Sequence, residues 1–397
     1  MNIIEAANEC LLCKNPICKK YCPVDTVIPD IIKLFREGKL DEAGRILFDN
    51  NPLSLVCSIL CAHQDQCMGH CIKGIKGEPV QFYQIEEYIS TRYLEKLKFD
   101  KPVQDKCRIA IVGSGPAGIT LAFILGRKGY KVTVFDSKEK IGGVLRYGVP
   151  EFRLSKHILD LYEEKLIQLG VKIRPNTLIG PALTMDKLFE DGYQAVFIGT
   201  GVWSPKLMGI KGESLGNAHF AIDYLKAPDV YKLGQKVAVI GAGNVAMDAA
   251  RTAKRSKGVK EVKIFYRKGF ENMTATKVEI SETQEDGVEF VFYKTPMEIR
   301  EDGIKIVDTK SFEEEFYECD SVLIAVGQSP KNNIVINNKG FQTTAMGLLV
   351  TDEKGHTTRE GVFASGDVVT GSKTVVEAVS NAKVVAESIE EYCNLNS

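Results

Sequence analysis

Two stretches of the chain share one rhythm of apolar and polar positions. In "CRIAIVGSGPAGITLAFILGRKGYKVTVFD", residues 107–136, an apolar run ends in a glycine-rich turn. A helix-spaced apolar segment follows, then a second apolar run. The order strand, turn, helix, strand returns in "KVAVIGAGNVAMDAARTAKRSKGVKEVKIFYRK", residues 236–268. Apolar strands ending in glycine turns flank this second copy: "AVFIGTG" at 195–201 and "SVLIAVGQSP" at 321–330. Near the C-terminus, "GVFASGDVVTGSKTVVEAVSNAKVVAESIEEY" (361–392) runs a strand into Gly366-Asp367 and then a helix. Ahead of all this, "TVIPDIIKLFREGKLDEAGRILFDNNP" (26–52) carries the spacing of two short helices, and 98–106 is a polar connector. The pattern predicts an α/β chain in three parts. A helical domain spans 1–100, a dinucleotide-binding domain 101–225 with 326–397, and a second such unit is inserted at 226–325.

The glycine turns give these folds their chemistry. Gly113, Gly115 and Gly118 form G-x-G-x-x-G directly after a strand, and Asp136 closes the next strand 23 residues later. Placed between two β-runs, this pattern signals a dinucleotide site rather than an ordinary turn. Gly113 permits the turn, Gly115 lets backbone N–H groups approach a pyrophosphate, and Gly118 lets helix and strand pack closely. Pro116 and Ala117 open the helix whose N-terminus favours phosphate, and Asp136 is placed to accept hydrogen bonds from a ribose. In the second copy Gly241 and Gly243, followed by Asn244, Val245 and Ala246, give G-x-G-x-x-A, and the second strand ends in Arg267-Lys268 instead of an acid. A carboxylate there would repel a 2′-phosphate and a guanidinium would hold it, which favours NADPH over NADH. The bland alternative is a solvated turn.

Composition adds the third cofactor. Of 397 residues, 44% are hydrophobic and 26% charged, with a formal net charge of −1. That is a soluble globular mix with no basic field for nucleic acid and no apolar run of membrane-spanning length. With no signal-peptide pattern at the N-terminus, the expected compartment is the cytoplasm. Eight of the 11 cysteines lie between Cys10 and Cys71. Clustered cytosolic thiols bind metal or do redox work more often than they form disulfides. Cys10, Cys13, Cys18 and Cys22 read C-x2-C-x4-C-x3-C-P, close to a bacterial ferredoxin run. Cys57, Cys61, Cys67 and Cys71 read C-x3-C-x5-C-x3-C, unlike paired zinc knuckles. Two interleaved [4Fe-4S] clusters are expected, with Cys10, Cys13, Cys18 and Cys71 around one and Cys22, Cys61 and Cys67 around the other. The isolated Cys107, Cys319 and Cys393 read as packed apolar fillers, and the absence of a C-x-x-C pair beyond the first group argues against direct disulfide reduction.

Together these residues resemble the flavin- and iron–sulfur-containing pyridine-nucleotide oxidoreductases related to the glutamate synthase small subunit. The markers are the cysteine groups, "VGSGPAGITLA", "GGVLRYGVPEFRLSK", "GAGNVAMDAARTA" and "FASGDVVTG". Within that family the chain is similar to the electron-input subunits of dihydropyrimidine dehydrogenases and the large subunits of NADH-dependent ferredoxin:NADP oxidoreductases. The resemblance implies nested folds of the disulfide-reductase-like type, with FAD in the first nucleotide site and NADPH or NADH in the second. Gly142, Gly143, Leu145 and Tyr147 would line the flavin side, and Asp367 would hydrogen-bond the ribityl chain. Gly201, Gly327, Gly366 and Thr374 complete the candidate cofactor contacts. It also implies a carboxylate or amide ligand to the second cluster at Glu86, leaving Cys57 a buried bystander; Cys57 as eighth ligand is the alternative. Departures from the family pattern are Ser155, Lys268 and Thr274, where proline, arginine and proline are common. The activity implied is oxidation of NAD(P)H at the flavin, with electrons leaving through the clusters. The acceptor would be a separate catalytic or electron-accepting subunit or ferredoxin. A stand-alone or bifurcating ferredoxin reductase is the nearest alternative, and a non-catalytic scaffold the alternative of another class.

Overall fold

The computed structural model describes residues 3–100 and 103–396. They form two compact units. The first takes in residues up to 143, 151–202 and 330 onward; the second takes in 144–150 and 203–329.

The first unit begins with a helical domain of α1 (Ile3–Asn8), α2 (Ile28–Arg36), α3 (Leu40–Asn50), α4 (Ser54–Leu60) and α5 (Phe82–Lys96). The two helices expected in 26–52 are α2 and α3, and α3 stops where Asn51 turns extended ahead of Pro52. Their apolar faces bury Ile28, Ile31, Ile32, Leu47, Ile85 and Ile89, with Cys10, Cys18, Cys67 and Cys71 packed against that core. The sheet of this unit uses β1 (Arg108–Val112), β2 (Lys131–Phe135), β3 (Lys172–Arg174), β4 (Tyr193–Ile198) and β13 (Val362–Ala364). It is parallel throughout, in the order β13-β4-β1-β2-β3. Helices α6 (Pro116–Arg127), α7 (Lys156–Gln168) and α10 (Val375–Leu395) belong to it. Only the first residue of β1 and of β2 is exposed, as expected for strands of a sheet covered on both faces.

The helical domain packs onto this sheet domain. Phe48 of α3 meets Phe123 of α6 edge-to-face at 5.3 Å, and Arg127 pairs with Asp49 at 2.7 Å. Helix α10 lies along both α6 and α4. Its Ser380 hydroxyl donates to the Pro23 carbonyl at 2.8 Å, and the Lys383 ammonium to Asn50 Oδ1 at 2.8 Å.

The second unit repeats the parallel sheet with β5 (Ala218–Phe220), β6 (Lys236–Ile240), β7 (Glu261–Tyr266), β8 (Glu289–Phe292) and β12 (Ser321–Ile324). The order is β5-β12-β6-β7-β8. Helices α8 (Asn244–Arg255) and α9 (Lys277–Glu285) accompany it, and an antiparallel ribbon of β9 (Lys294–Arg300), β10 (Gly303–Asp308) and β11 (Glu314–Glu318) completes the unit. The chain enters this unit earlier than the 225/226 boundary expected from sequence. The reason is β5, which hydrogen-bonds in register to β12 and extends the second sheet. One further expectation fails. Cys107 and Cys393 are not isolated: their sulfurs lie 3.1 Å apart. Cys319, by contrast, is a buried member of an apolar core.

Candidate functional site

The fold holds three sets of candidate residues, each within a single unit. The first is at the carboxyl end of β1, where β4 and β2 lie on opposite sides of it and the strand order reverses. Gly113 has φ +105, and a Cβ there would sit 2.5 Å from the Gly199 carbonyl oxygen. A Cβ on Gly118 would sit 2.0 Å from the Gly113 oxygen, so both glycines are required by the fold itself. Gly115 differs, because the nearest atom to a Cβ there is the Gly143 Cα, 4.0 Å away. The first turn of α6, with Pro116 and Ala117, has no side-chain cap, so its N–H groups are free for an anion. Asp136 accepts from the Ser114 N–H at 2.8 Å, from the Ser114 hydroxyl, and from the Lys138 N–H at 2.9 Å. It thus braces the glycine turn as well as facing the place expected for a ribose.

Gly366 brings the next loop close, since a Cβ on it would lie 3.4 Å from that of Ala117. Burial pushes the neighbouring Asp367 carboxyl up to about 6, with a single backbone donor, Lys373 N–H at 3.2 Å. The adjacent Ser365 hydroxyl is buried with no hydrogen-bond partner among the described residues. A cradle with an open Gly115, uncapped N–H groups, a buried Ser365 hydroxyl and a half-buried Asp367 carboxyl fits a polar, phosphate-bearing ligand such as FAD. Thr374 has another occupation: its hydroxyl accepts from the Glu377 N–H and caps α10 in a capping box. Gly201 follows β4 on the same crevice. Leu145 and Tyr147, expected on the flavin side, are buried in the 144–150 segment and count with the second unit.

The second set ends β6. A Cβ on Gly241 would lie 2.3 Å from the Ala325 oxygen, and one on Gly243 3.3 Å from Thr274 Oγ1. Ala246 is fully buried, Val245 packs on the same core, and α8 again has no side-chain cap. Asn244 uses its Oδ1 to accept from the Thr276 N–H at 3.0 Å, fixing the turn that holds Thr274. Gly327 follows β12 with φ +111. Arg267 and Lys268 are exposed, and their carbonyls are pinned by the Thr309 hydroxyl at 3.2 Å and the Tyr293 N–H at 3.3 Å. No carboxylate pairs with Arg267 among the described residues.

The third set is the thiols. Cys10, Cys13, Cys18, Cys67 and Cys71 line one cavity, walled by Ile17, Ile32 and Phe82. Cys71 is an electrostatic neighbour of both Cys10 and Cys18, so the first expected group does assemble. Burial pushes the Cys18 thiol up to about 11 and raises Cys10 as well. Behind this cavity, Cys22, Cys61, Cys67 and Glu86 face one another, and Cys67 stands between the two groups. Glu86 is 7% exposed and has no hydrogen-bond donor among the described residues; burial, and then the Cys57 charge, holds its carboxyl well above the ordinary range. Cys57 is buried on α4 and hydrogen-bonded to Cys61 and Asn51. Buried thiolates and a buried carboxylate are costly unless a metal centre takes their charge. Among the described residues no three such side chains converge tightly enough for a single ion. The number and spacing of the thiols, with only Cys10–Cys13 in the C-x2-C form, fit multi-iron clusters better than one zinc.

Sequence reasoning missed the residues that join these sets. The buried Tyr162 of α7 hydrogen-bonds the Leu55 backbone and faces Cys57 and Glu86. Lys383 of α10 faces Cys22 and Asp25. No local signal marks either residue, because each meets its partners across more than seventy positions.

Comparison with known proteins gives concordant findings. The pyridine nucleotide-disulphide oxidoreductase family profile matches residues 107–382. The profile of dihydropyrimidine dehydrogenase domain II, 4Fe-4S cluster, matches 1–97. The glutamate synthase [NADPH] small chain of Halomonas elongata is 34% identical, over 98% of this chain and 90% of its own. The NAD-dependent dihydropyrimidine dehydrogenase subunit PreT of Salmonella typhimurium is 27% identical, over 98% and 94%. Among solved structures, Thermoplasma acidophilum thioredoxin reductase (24% identical) superposes with a TM-score of 0.59 over 73% of this chain and 98% of its own, a likeness of fold. Among the described residues no helix is long and apolar enough to cross a membrane.

Proposed function

Because the chain belongs to the pyridine nucleotide-disulphide oxidoreductases, in the branch of glutamate synthase small chains with a cysteine-rich domain ahead of the flavin fold, we propose that it is the electron-input component of a larger cytoplasmic oxidoreductase. It oxidises NAD(P)H at FAD and delivers electrons through two [4Fe-4S] clusters to a separate catalytic subunit or a ferredoxin. When bound, the flavin and clusters supply the change from two-electron to one-electron chemistry. The observation that carries this reading is the packing of the thiol sets against the flavin cradle. Helix α10 starts beside Asp367 and passes Cys22 through Ser380 and Lys383, while α7 brings Tyr162 to the Cys57–Glu86 side. The second thiol group lies against the flavin domain, and the first opens outward beside the exposed Leu11, Ile17 and Ile72.

The protein's own residues bind and orient. The turn at Gly115 and the N-terminus of α6 hold the pyrophosphate, Asp136 the adenosine ribose, and Asp367 the flavin side. The turn at Gly243 and the N-terminus of α8 hold the nicotinamide dinucleotide, with Arg267 reading a 2′-phosphate. Cys10, Cys13, Cys18 and Cys71 hold the outer cluster, and Cys22, Cys61, Cys67 and Glu86 the inner one.

Two variants test the two ends of this path. Cys13→Ser is expected to keep NADPH-driven reduction of ferricyanide and to lose transfer to ferredoxin on the order of tenfold or more. Undiminished ferredoxin reduction in that variant would rule out the outer thiols as the exit. Arg267→Ala is expected to weaken NADPH by about 1–3 kcal/mol, as for one lost charge-assisted contact, with NADH little changed. Equal weakening of both cofactors, by steady-state KM or direct titration, would refute the 2′-phosphate role.

A further inference from the structure

The pair Cys107 and Cys393 lies outside every site described above. The two residues are 286 positions apart, and their sulfurs are 3.1 Å apart. Cys107 directly precedes β1, and Cys393 is in the last turn of α10. A disulfide needs a sulfur–sulfur distance of about 2.05 Å, so roughly 1 Å of side-chain movement would close it. Cys393 is buried, while Cys107 is partly exposed and open to a small reagent. The hydrogen bond with Cys393 holds the Cys107 thiol below the usual range, with Lys106 assisting, and the same bond with burial pushes Cys393 up. Cys107, the more exposed of the two, is therefore the sulfur that a reagent reaches first, and the buried Cys393 is its resolving partner. The five residues of β1 separate the pair from Gly113, roughly 17 Å at strand rise, so the pair does not exchange directly with a flavin at the glycine turn.

We propose that Cys107 and Cys393 form a redox-active dithiol that is oxidised by small disulfides of the glutathione class. The Cys107 thiolate attacks one sulfur of the reagent, whose S–S bond breaks as one glutathione thiolate leaves with the electron pair. Cys393 loses its proton to solvent, attacks the Cys107 sulfur and expels the second glutathione thiolate. In total the protein gives up two electrons and two protons, and one disulfide is reduced to two thiols. The new bond ties the C-terminal turn of α10 to the start of β1. Helix α10 also holds the cluster domain through Ser380 and Lys383, so the disulfide fastens the element that joins the two domains.

Holoprotein treated anaerobically with oxidised glutathione, then alkylated, digested and analysed by mass spectrometry, tests this. The expected result is a peptide cross-linked between 107 and 393, loss of two alkylatable thiols, unchanged iron, and a Tm higher by roughly 3 °C or more that dithiothreitol reverses. Cys107→Ser and Cys393→Ser should each abolish the cross-link, and Cys319→Ser should keep it. Glutathione retained on Cys107 with Cys393 still alkylated, both thiols alkylated, or iron lost before the cross-link forms would each overturn the proposal.

Discussion

Gly115→Val will give a folded, iron-containing protein with almost no flavin. The expectation rests on the difference between three glycines of one motif. Side chains at Gly113 or Gly118 would strike backbone oxygens at 2.5 and 2.0 Å, so those variants would disturb the sheet itself. Gly115 has φ −73, ordinary for any residue, and a Cβ there has no protein atom nearer than 4.0 Å. Valine is therefore tolerated by the chain and fills the space through which the N–H groups of α6 reach the pyrophosphate. A clash of this kind costs about 3 kcal/mol, on the order of a hundredfold in affinity. The flavin-to-protein ratio should collapse while iron content and far-UV dichroism stay normal. A variant that purifies with full flavin would show that the first nucleotide turn is misassigned.

Glu86→Ala will cost the protein one cluster, and Cys57→Ser will cost it none. Both residues lie at the inner thiol group, so proximity does not separate them, but their bonding does. Cys57 already hydrogen-bonds Cys61 and Asn51. Glu86 is buried with no donor among the described residues, a state that is unfavourable unless something positive faces it. A glutamate oxygen is a harder ligand than a thiolate and would tune the inner cluster apart from the outer one. Removal of Glu86 should therefore lower iron content by about half and remove one EPR signal. Cys57→Ser should keep both signals, because serine refills most of the volume. The reverse pattern would make Cys57 the eighth ligand.

Much of this was legible in the chain because it is local. The apolar runs at 109–112 and 237–240 and the glycine spacing after them lie within single supersecondary units, so their fold and chemistry can be read together. The grouping of Cys71 with Cys10 and Cys18, across some fifty residues, was reachable from the ferredoxin-like spacing. What stayed hidden is long-range. The strand Ala218–Phe220 is three residues long, and only its register with β12 assigns it to the second sheet. Thr374 was expected only as a cofactor contact, and its hydroxyl also caps α10, a role that depends on Glu377 three residues on. Tyr162, Lys383 and the Cys107–Cys393 contact arise from packing between distant segments, which no spacing rule encodes.

The most direct test of the central claim is an anaerobic titration of the holoprotein with NADPH, followed by visible absorption and low-temperature EPR on the same samples. The path from nicotinamide to flavin to clusters predicts that the flavin bleaches and that the signal of at least one reduced [4Fe-4S] cluster grows as NADPH is added. A bleached flavin beside clusters that stay oxidised at excess NADPH, under conditions where dithionite reduces them, would contradict it.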